Sequence, residues 1–195
     1  YNIGQRLSTG MRHADCLFYM PGFWYRKNLR SPESAPSFRT SDSWIVREDR
    51  LSTPLTGVYD EKTGEWCTVM RTDDFDCESL AAHSSGEIIL GSETSIGFTG
   101  FCNAGSDAEI TFGFPYSEAP KTYLRKLRLA PPVTAFEKLG AGESKTFVWE
   151  IRKGKSASWS EFVASVWESS FESLRPLPVD TKYTEETAKA ALSRY

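Results

Sequence analysis

Apolar and polar positions follow a strand-like pattern as far as Arg152 and then change to a helical period. Leu17 to Arg26 is dense in aromatics and broken at Pro21-Gly22, which predicts two short extended segments joined by a turn. A serine- and proline-rich loop from Ser31 to Ser37 follows, then strands over Ser43 to Glu48 and Leu55 to Tyr59. The run from Val58 to Met70 places two strand-like segments around Asp60 to Gly64, a hairpin in which Gly64 supplies the positive φ of a short loop. Further strands are predicted over Gly86 to Leu90, Ile96 to Cys102, Glu109 to Phe114, Thr122 to Leu129 and Lys145 to Arg152. Between them lie Asn103 to Asp107, Pro115, Pro131-Pro132 and Gly140-Ala141-Gly142, all turn-forming sequences. In Thr122 to Leu129 a helix is the rival reading, because Tyr123-Leu124 breaks strict alternation. Lys145 to Arg152 alternates cleanly and sets Phe147, Trp149 and Ile151 on one face.

Beyond that strand, Ser158-Trp159-Ser160-Glu161 has the form of a capping box. Phe162, Val166 and Phe171 recur at helical spacing behind it, with Val163, Trp167 and Leu174 widening the same apolar face. Arg175-Pro176-Leu177-Pro178 ends this helix, and Thr184 with Glu185 and Glu186 opens a second one near the end of the chain. The expected architecture is mainly β, an antiparallel β-sandwich over residues 1–154 with a C-terminal α-helical linker over 155–195. A helix that begins so close to Tyr195 leads us to expect a helical domain further along the polypeptide, and the start at Tyr1 suggests an excerpt or a removed leader.

Composition narrows the class. Aromatic residues make up 13% of the chain, which suits pleated, half-buried surfaces better than a helical bundle. A net charge of -3 gives no drive toward a nucleic-acid backbone, and no apolar run approaches the roughly 20 residues of a membrane span. Cys16, Cys67, Cys77 and Cys102 form neither a CxxC pair nor a metal knuckle and read as buried small apolar residues, so no cofactor or metal is expected.

Several constellations could carry chemistry. Glu48 and Asp49 invite a glycosidase reading, since that reaction needs two carboxylates, but neighbours on a strand point to opposite faces. Arg47-Glu48-Asp49-Arg50 reads better as an ion-pair cluster holding a loop. Asp73 to Glu78 is acidic yet lacks calcium-loop spacing and reads as a solvated loop. Ser84 and Ser85 beside His83 lack a nucleophile elbow, and Gly86, Gly91, Gly97 and Gly100 form no phosphate loop and read as sheet bends or bulges. What remains is the aromatic set. A sugar site stacks rings on C–H faces and bonds hydroxyls with polar groups, so Trp24, Tyr25, Trp44 and Trp66, with Arg47 and Asp49, are the candidate carbohydrate-binding residues. The competing assignment for each tryptophan is the core between two sheets, and Trp149 and Trp167 are expected there.

The element order, the turn Leu139-Gly140-Ala141-Gly142-Glu143-Ser144, the strand Lys145 to Arg152 and the helix Trp159 to Leu174 resemble the N-terminal β-sandwich of bacterial glycoside hydrolases and phosphorylases with six-hairpin helical barrels. Trp44 to Arg71 and Thr94 to Phe101 also look like sandwich segments of that super-sandwich, or galactose mutarotase-like, group. The resemblance implies a module without catalytic residues of its own, packed against a helical catalytic domain and bordering its sugar cleft. It also implies a bacterial periplasmic or secreted setting in polysaccharide metabolism. A stand-alone carbohydrate-binding module is the alternative, and a small hydrolase built on Glu48, Asp49 or the Asp73 to Asp76 loop is a third reading.

Overall fold

Strand residues alternate between two surfaces, so a strand with apolar side chains on both sides has to lie between two packing layers. The strand Cys16–Met20 is buried at every position, as is Leu55–Asp60. The computed structural model describes residues 3–26, 43–74, 91–116, 123–125, 128–130, 134–176 and 184–193. Their strands are β1 (Ile3–Arg12), β2 (Cys16–Met20), β3 (Trp24–Arg26), β4 (Ser43–Arg47), β5 (Leu55–Asp60), β6 (Glu65–Arg71) and β7 (Gly91–Glu93). They continue with β8 (Phe98–Ala104), β9 (Asp107–Phe114), β10 (Tyr123–Arg125), β11 (Arg128–Ala130), β12 (Thr134–Phe136) and β13 (Trp149–Lys155). Two helices follow, α1 (Trp159–Leu174) and α2 (Glu185–Leu192).

Two antiparallel sheets dominate. One has the order β1-β9-β8-β4 and the other β13-β6-β5-β2-β3. One apolar cluster draws on both: Phe18, Val58 and Val69 from the five-stranded sheet with Val46, Phe101, Ile110 and Phe112 from the four-stranded one. Phe18 and Phe101 meet edge to face at 4.6 Å between ring centroids. A polar contact crosses the same gap, where the Thr99 hydroxyl donates to that of Thr56 at 2.7 Å. Cys16, Cys67 and Cys102 are buried, and burial pushes the Cys67 thiol up from its ordinary value.

The other face of the five-stranded sheet carries α1. Leu17, Tyr19, Leu55, Tyr59 and Met70 form a second cluster with Phe162 and Val166. Gly57 makes room for the helix, because a Cβ there would come within 3.1 Å of the Phe162 ring. The helix begins as its sequence dictates: Ser158 Oγ accepts from Glu161 N, and Glu161 Oε2 accepts from Ala157 N at 2.7 Å. At its far end Arg152 bridges Glu150 and the Ser173 hydroxyl, tying the helix to β13.

The predicted hairpin is present as β5–β6, with Gly64 at φ 74°. Pro21-Gly22 turns β2 into β3, and the Gly140 to Glu143 turn closes through Glu143 N to Gly140 O at 3.1 Å. Other expectations shift. The last strand starts at Trp149 rather than Lys145 and runs on to Lys155, because β6 offers partners only from Arg71 back to Glu65. Thr122 to Leu129 is neither one strand nor a helix: its described residues form the hairpin pair β10–β11. β1 was not foreseen, since Gly4, Ser8 and Gly10 interrupt its pattern and all its residues except Met11 are at least partly exposed. Gly97 and Gly100 sit where backbones approach closely, against Gly113 and Trp44 respectively. Residues 31–37 and 86–90 lie outside the described residues.

Phe162 is fully buried between helix and sheet. Phe162→Ala is expected to destabilise the fold by about 3–5 kcal/mol in urea denaturation, the range for removing a buried phenyl group.

Candidate functional site

Three places bear on function: a buried charge cluster at the end of β6, an aromatic edge formed by β3 and β4, and the outer face of α1.

Arg71 ends β6 on the inward face and has no exposed side-chain surface. A guanidinium in that position has to spend its donors on protein acceptors. Its Nε and one terminal nitrogen form a fork on Asp73, at 2.9 and 2.8 Å. The other terminal nitrogen donates to Glu48 Oε2 at 2.8 Å and to the carbonyl of Ser95 at 2.6 Å. Phe147 and Trp149 lie 5.0 and 5.7 Å from the guanidinium, so the cation is lined by π-faces as well as by oxygens. Glu48 is equally buried; it also accepts from Gly97 N at 2.9 Å and from Trp149 Nε1 at 3.2 Å. Asp73 accepts from Val148 N at 2.8 Å. The cluster therefore joins the turn after β4, the approach to β8, the end of β6 and the start of β13.

This geometry suits positioning rather than catalysis. Glu48 is 1% exposed and already accepts three hydrogen bonds, so no substrate reaches it. Asp49 lies outside the cluster and is held by Arg47 in a bidentate pair at 2.9 and 2.7 Å. Glu48 and Asp49 thus serve different partners, but not as strand neighbours: the strand ends at Arg47, and both lie in the 3-10 turn Glu48–Arg50 that follows it. Asp74 is exposed, while 75–78 lie outside the described residues. Among the described residues no group of three His, Cys, Asp or Glu side chains is placed to hold a metal ion. No helix among them is long and apolar enough to cross a membrane.

The predicted carbohydrate-binding residues divide. Trp24 is buried, donates from Nε1 to the Arg26 carbonyl at 2.8 Å, and meets Trp44 edge-on at 5.8 Å. Trp44 and Tyr25 are exposed, but Tyr25 packs on the helix side against Tyr19 at 5.5 Å, so it does not extend the Trp24–Trp44 pair. Arg47 lies over the Tyr116 ring. Trp66 is far along the sheet, three strands from β3, where its Nε1 donates to Ser156 Oγ at 3.0 Å and its ring lies on Phe162. Trp24, Tyr25, Trp44, Arg47, Asp49 and Trp66 therefore do not form one surface.

The sequence pattern does not reveal the outer face of α1, because it sets Phe171 in the buried seam with Phe162 and Val166 and has Trp167 and Leu174 widen that seam. Trp167 and Phe171 are instead 63% and 66% exposed, with Leu174 beside them. At about 100° per residue the apolar arc from Phe162 to Phe171 spans roughly 180°, more than one sheet covers. That excess width was the available signal.

Burial pushes the Glu48 carboxyl above its ordinary value despite the pull of Arg71, Trp149 and Gly97. For Asp73, burial is outweighed by Arg71 and the Val148 amide, so its carboxyl is lowered. The native state thus holds the Glu48 proton more tightly than the unfolded chain, where it leaves near 4.5. This contribution to stability is present below that pH and is lost as pH rises through the folded value, whereas Asp73 acts in the window below 3.8. Between pH 4.5 and about 7, the stability of Glu48→Gln relative to wild type should shift in favour of the variant in urea denaturation. A constant difference, or the opposite trend, contradicts the burial argument.

Compared with known proteins, the chain matches no family model, no curated protein and no solved structure.

Proposed function

We propose that the chain is a non-catalytic β-sandwich module of a carbohydrate-active enzyme of the glycoside hydrolase type. It packs against a helical catalytic domain and shapes the mouth of that domain's sugar cleft. The shared core of the two sheets supports a sandwich, and the capped helix behind β13 supports the linker. The observation that carries the reading is the second apolar face of α1. Its first face is sealed on the five-stranded sheet, yet Trp167, Phe171 and Leu174 stand in solvent at i, i+4 and i+7. An exposed apolar stripe at helical spacing is the surface by which one helix packs on another. The interior network of Arg71, Glu48 and Asp73 gives such a module a rigid frame.

A stand-alone carbohydrate-binding module is the second reading, favoured by the exposure of Phe23 and Tyr25 at 51% and 49%. Hydroxyl-radical footprinting separates the two. On the helical-domain reading, oxidation of Trp167 and Phe171 is several-fold lower in the protein isolated from its source than in the 195-residue chain alone. Equal oxidation in both, or measurable glycoside turnover by the 195-residue chain, contradicts it. Glycan-dependent protection confined to Phe23, Tyr25 and Trp44 moves the assignment to the binding module.

A further inference from the structure

The exposed stripe on α1 has two properties that narrow what it meets. Trp167 is held still: its Nε1 donates to the Tyr19 hydroxyl at 2.5 Å, and Tyr19 is itself buried under the helix against Phe162 and Trp159. The indole keeps its face in solvent while its polar edge is already satisfied. An aromatic fixed in this way loses little freedom on being covered, which is the character of an interface anchor.

The second property is charge. Between Trp159 and Leu174 the helix carries Glu161, Glu168 and Glu172 and neither lysine nor arginine. Glu161 is engaged in the N-terminal cap. Glu168 and Glu172 are exposed one turn apart, an arrangement that weakens a free helix by mutual repulsion. Glu172 also lies in the last turn, where the negative end of the helix dipole disfavours a carboxylate. Among the described residues no cation pairs with either side chain; Arg175, at the C-cap, is the nearest basic residue along the chain. By the step of about 100° per residue, the Glu168–Glu172 column lies about 100° round the helix from the Trp167–Phe171 column, on the side opposite Val163 and Leu174. The apolar stripe is therefore bordered by a negative edge that the fold itself does not neutralise.

We propose that this face receives a basic amphipathic helix, with its apolar seam on Trp167, Phe171 and Leu174 and its lysines or arginines on Glu168 and Glu172. The proposal rests on the docking role assigned to α1 and adds the chemistry of its partner. The same negative edge disfavours an anionic membrane surface, and a neutral sugar would leave both carboxylates without counter-charge.

The test uses the 195-residue chain and two synthetic amphipathic helical peptides with the same leucine seam, one edged with lysine and one with glutamate. Binding is followed by the NMR shift of the Trp167 indole N–H, which registers weak association. The lysine peptide should bind about tenfold more tightly at low salt, a preference that shrinks in about 0.5 M salt and reverses in Glu168→Lys/Glu172→Lys. Equal binding of both peptides, abolished by Phe171→Ala in a variant that keeps its circular dichroism, overturns the basic partner and leaves the docking role of α1 standing. No shift with either peptide overturns both. A shift with cellohexaose and with neither peptide also overturns both, and assigns the face to a sugar.

Discussion

A buried guanidinium imposes order on everything near it, because each unmet donor costs more than a hydrogen bond returns. Arg71 meets that demand by drawing in Asp73 from its own strand end, Glu48 from the turn after β4 and the carbonyl of Ser95 from the approach to β8. Trp149 lies against the guanidinium and bonds Glu48, which brings β13 into the same cluster. Parts of both sheets are thereby fixed at one end of the shared core, where apolar packing alone would permit sliding. Burial without pairing would make Arg71 a defect; with a carboxylate fork and a second buried acid it becomes a pin.

The α1 layer depends on that frame. Leu17, Tyr19, Leu55, Tyr59 and Met70 offer Phe162 and Val166 a surface only while β2, β5 and β6 keep their register, and the inward halves of those strands belong to the core that Arg71 closes. The helix in turn fixes Trp167 through Tyr19, so the exposed aromatic is presented by the same residue that anchors the helix to the sheet. A chain of contacts thus runs from the inter-sheet core to the surface stripe, and it gives the proposed docking role its rigidity.

Much of the fold was legible because local signals agreed with the final packing. Pro21-Gly22, the Asp60 to Gly64 loop, the glycine-rich turn at 140–143 and the Ser158 cap each specify a local geometry regardless of what lies beyond them. Elements whose identity depends on a partner were less legible. β1 is held by its register with β9 and not by its own alternation, and β13 begins where β6 can pair with it. The pin was half visible: Arg47-Glu48-Asp49-Arg50 stood out as an ion-pair cluster, but the partner of Glu48 lies 23 residues away, a distance that no local pattern encodes. The aromatic candidates failed as a set because a tryptophan reads alike in a core and on a surface. Trp24 is buried and Trp66 is half-buried against the helix-side cluster, while Trp167, assigned to the core from its helical spacing, stays in water.

The central claim is that the Arg71 cluster holds the two sheets together as a charged network, not as three polar side chains that happen to be enclosed. Urea denaturation of Arg71→Met beside the double variant Arg71→Met/Glu48→Met tests it most directly. The single substitution leaves Glu48 buried without its cation and should cost about 3–5 kcal/mol, and the double variant should recover part of that loss by removing the stranded charge. A loss below about 1 kcal/mol for Arg71→Met, or a double variant destabilised by the full sum of its parts, would contradict the account.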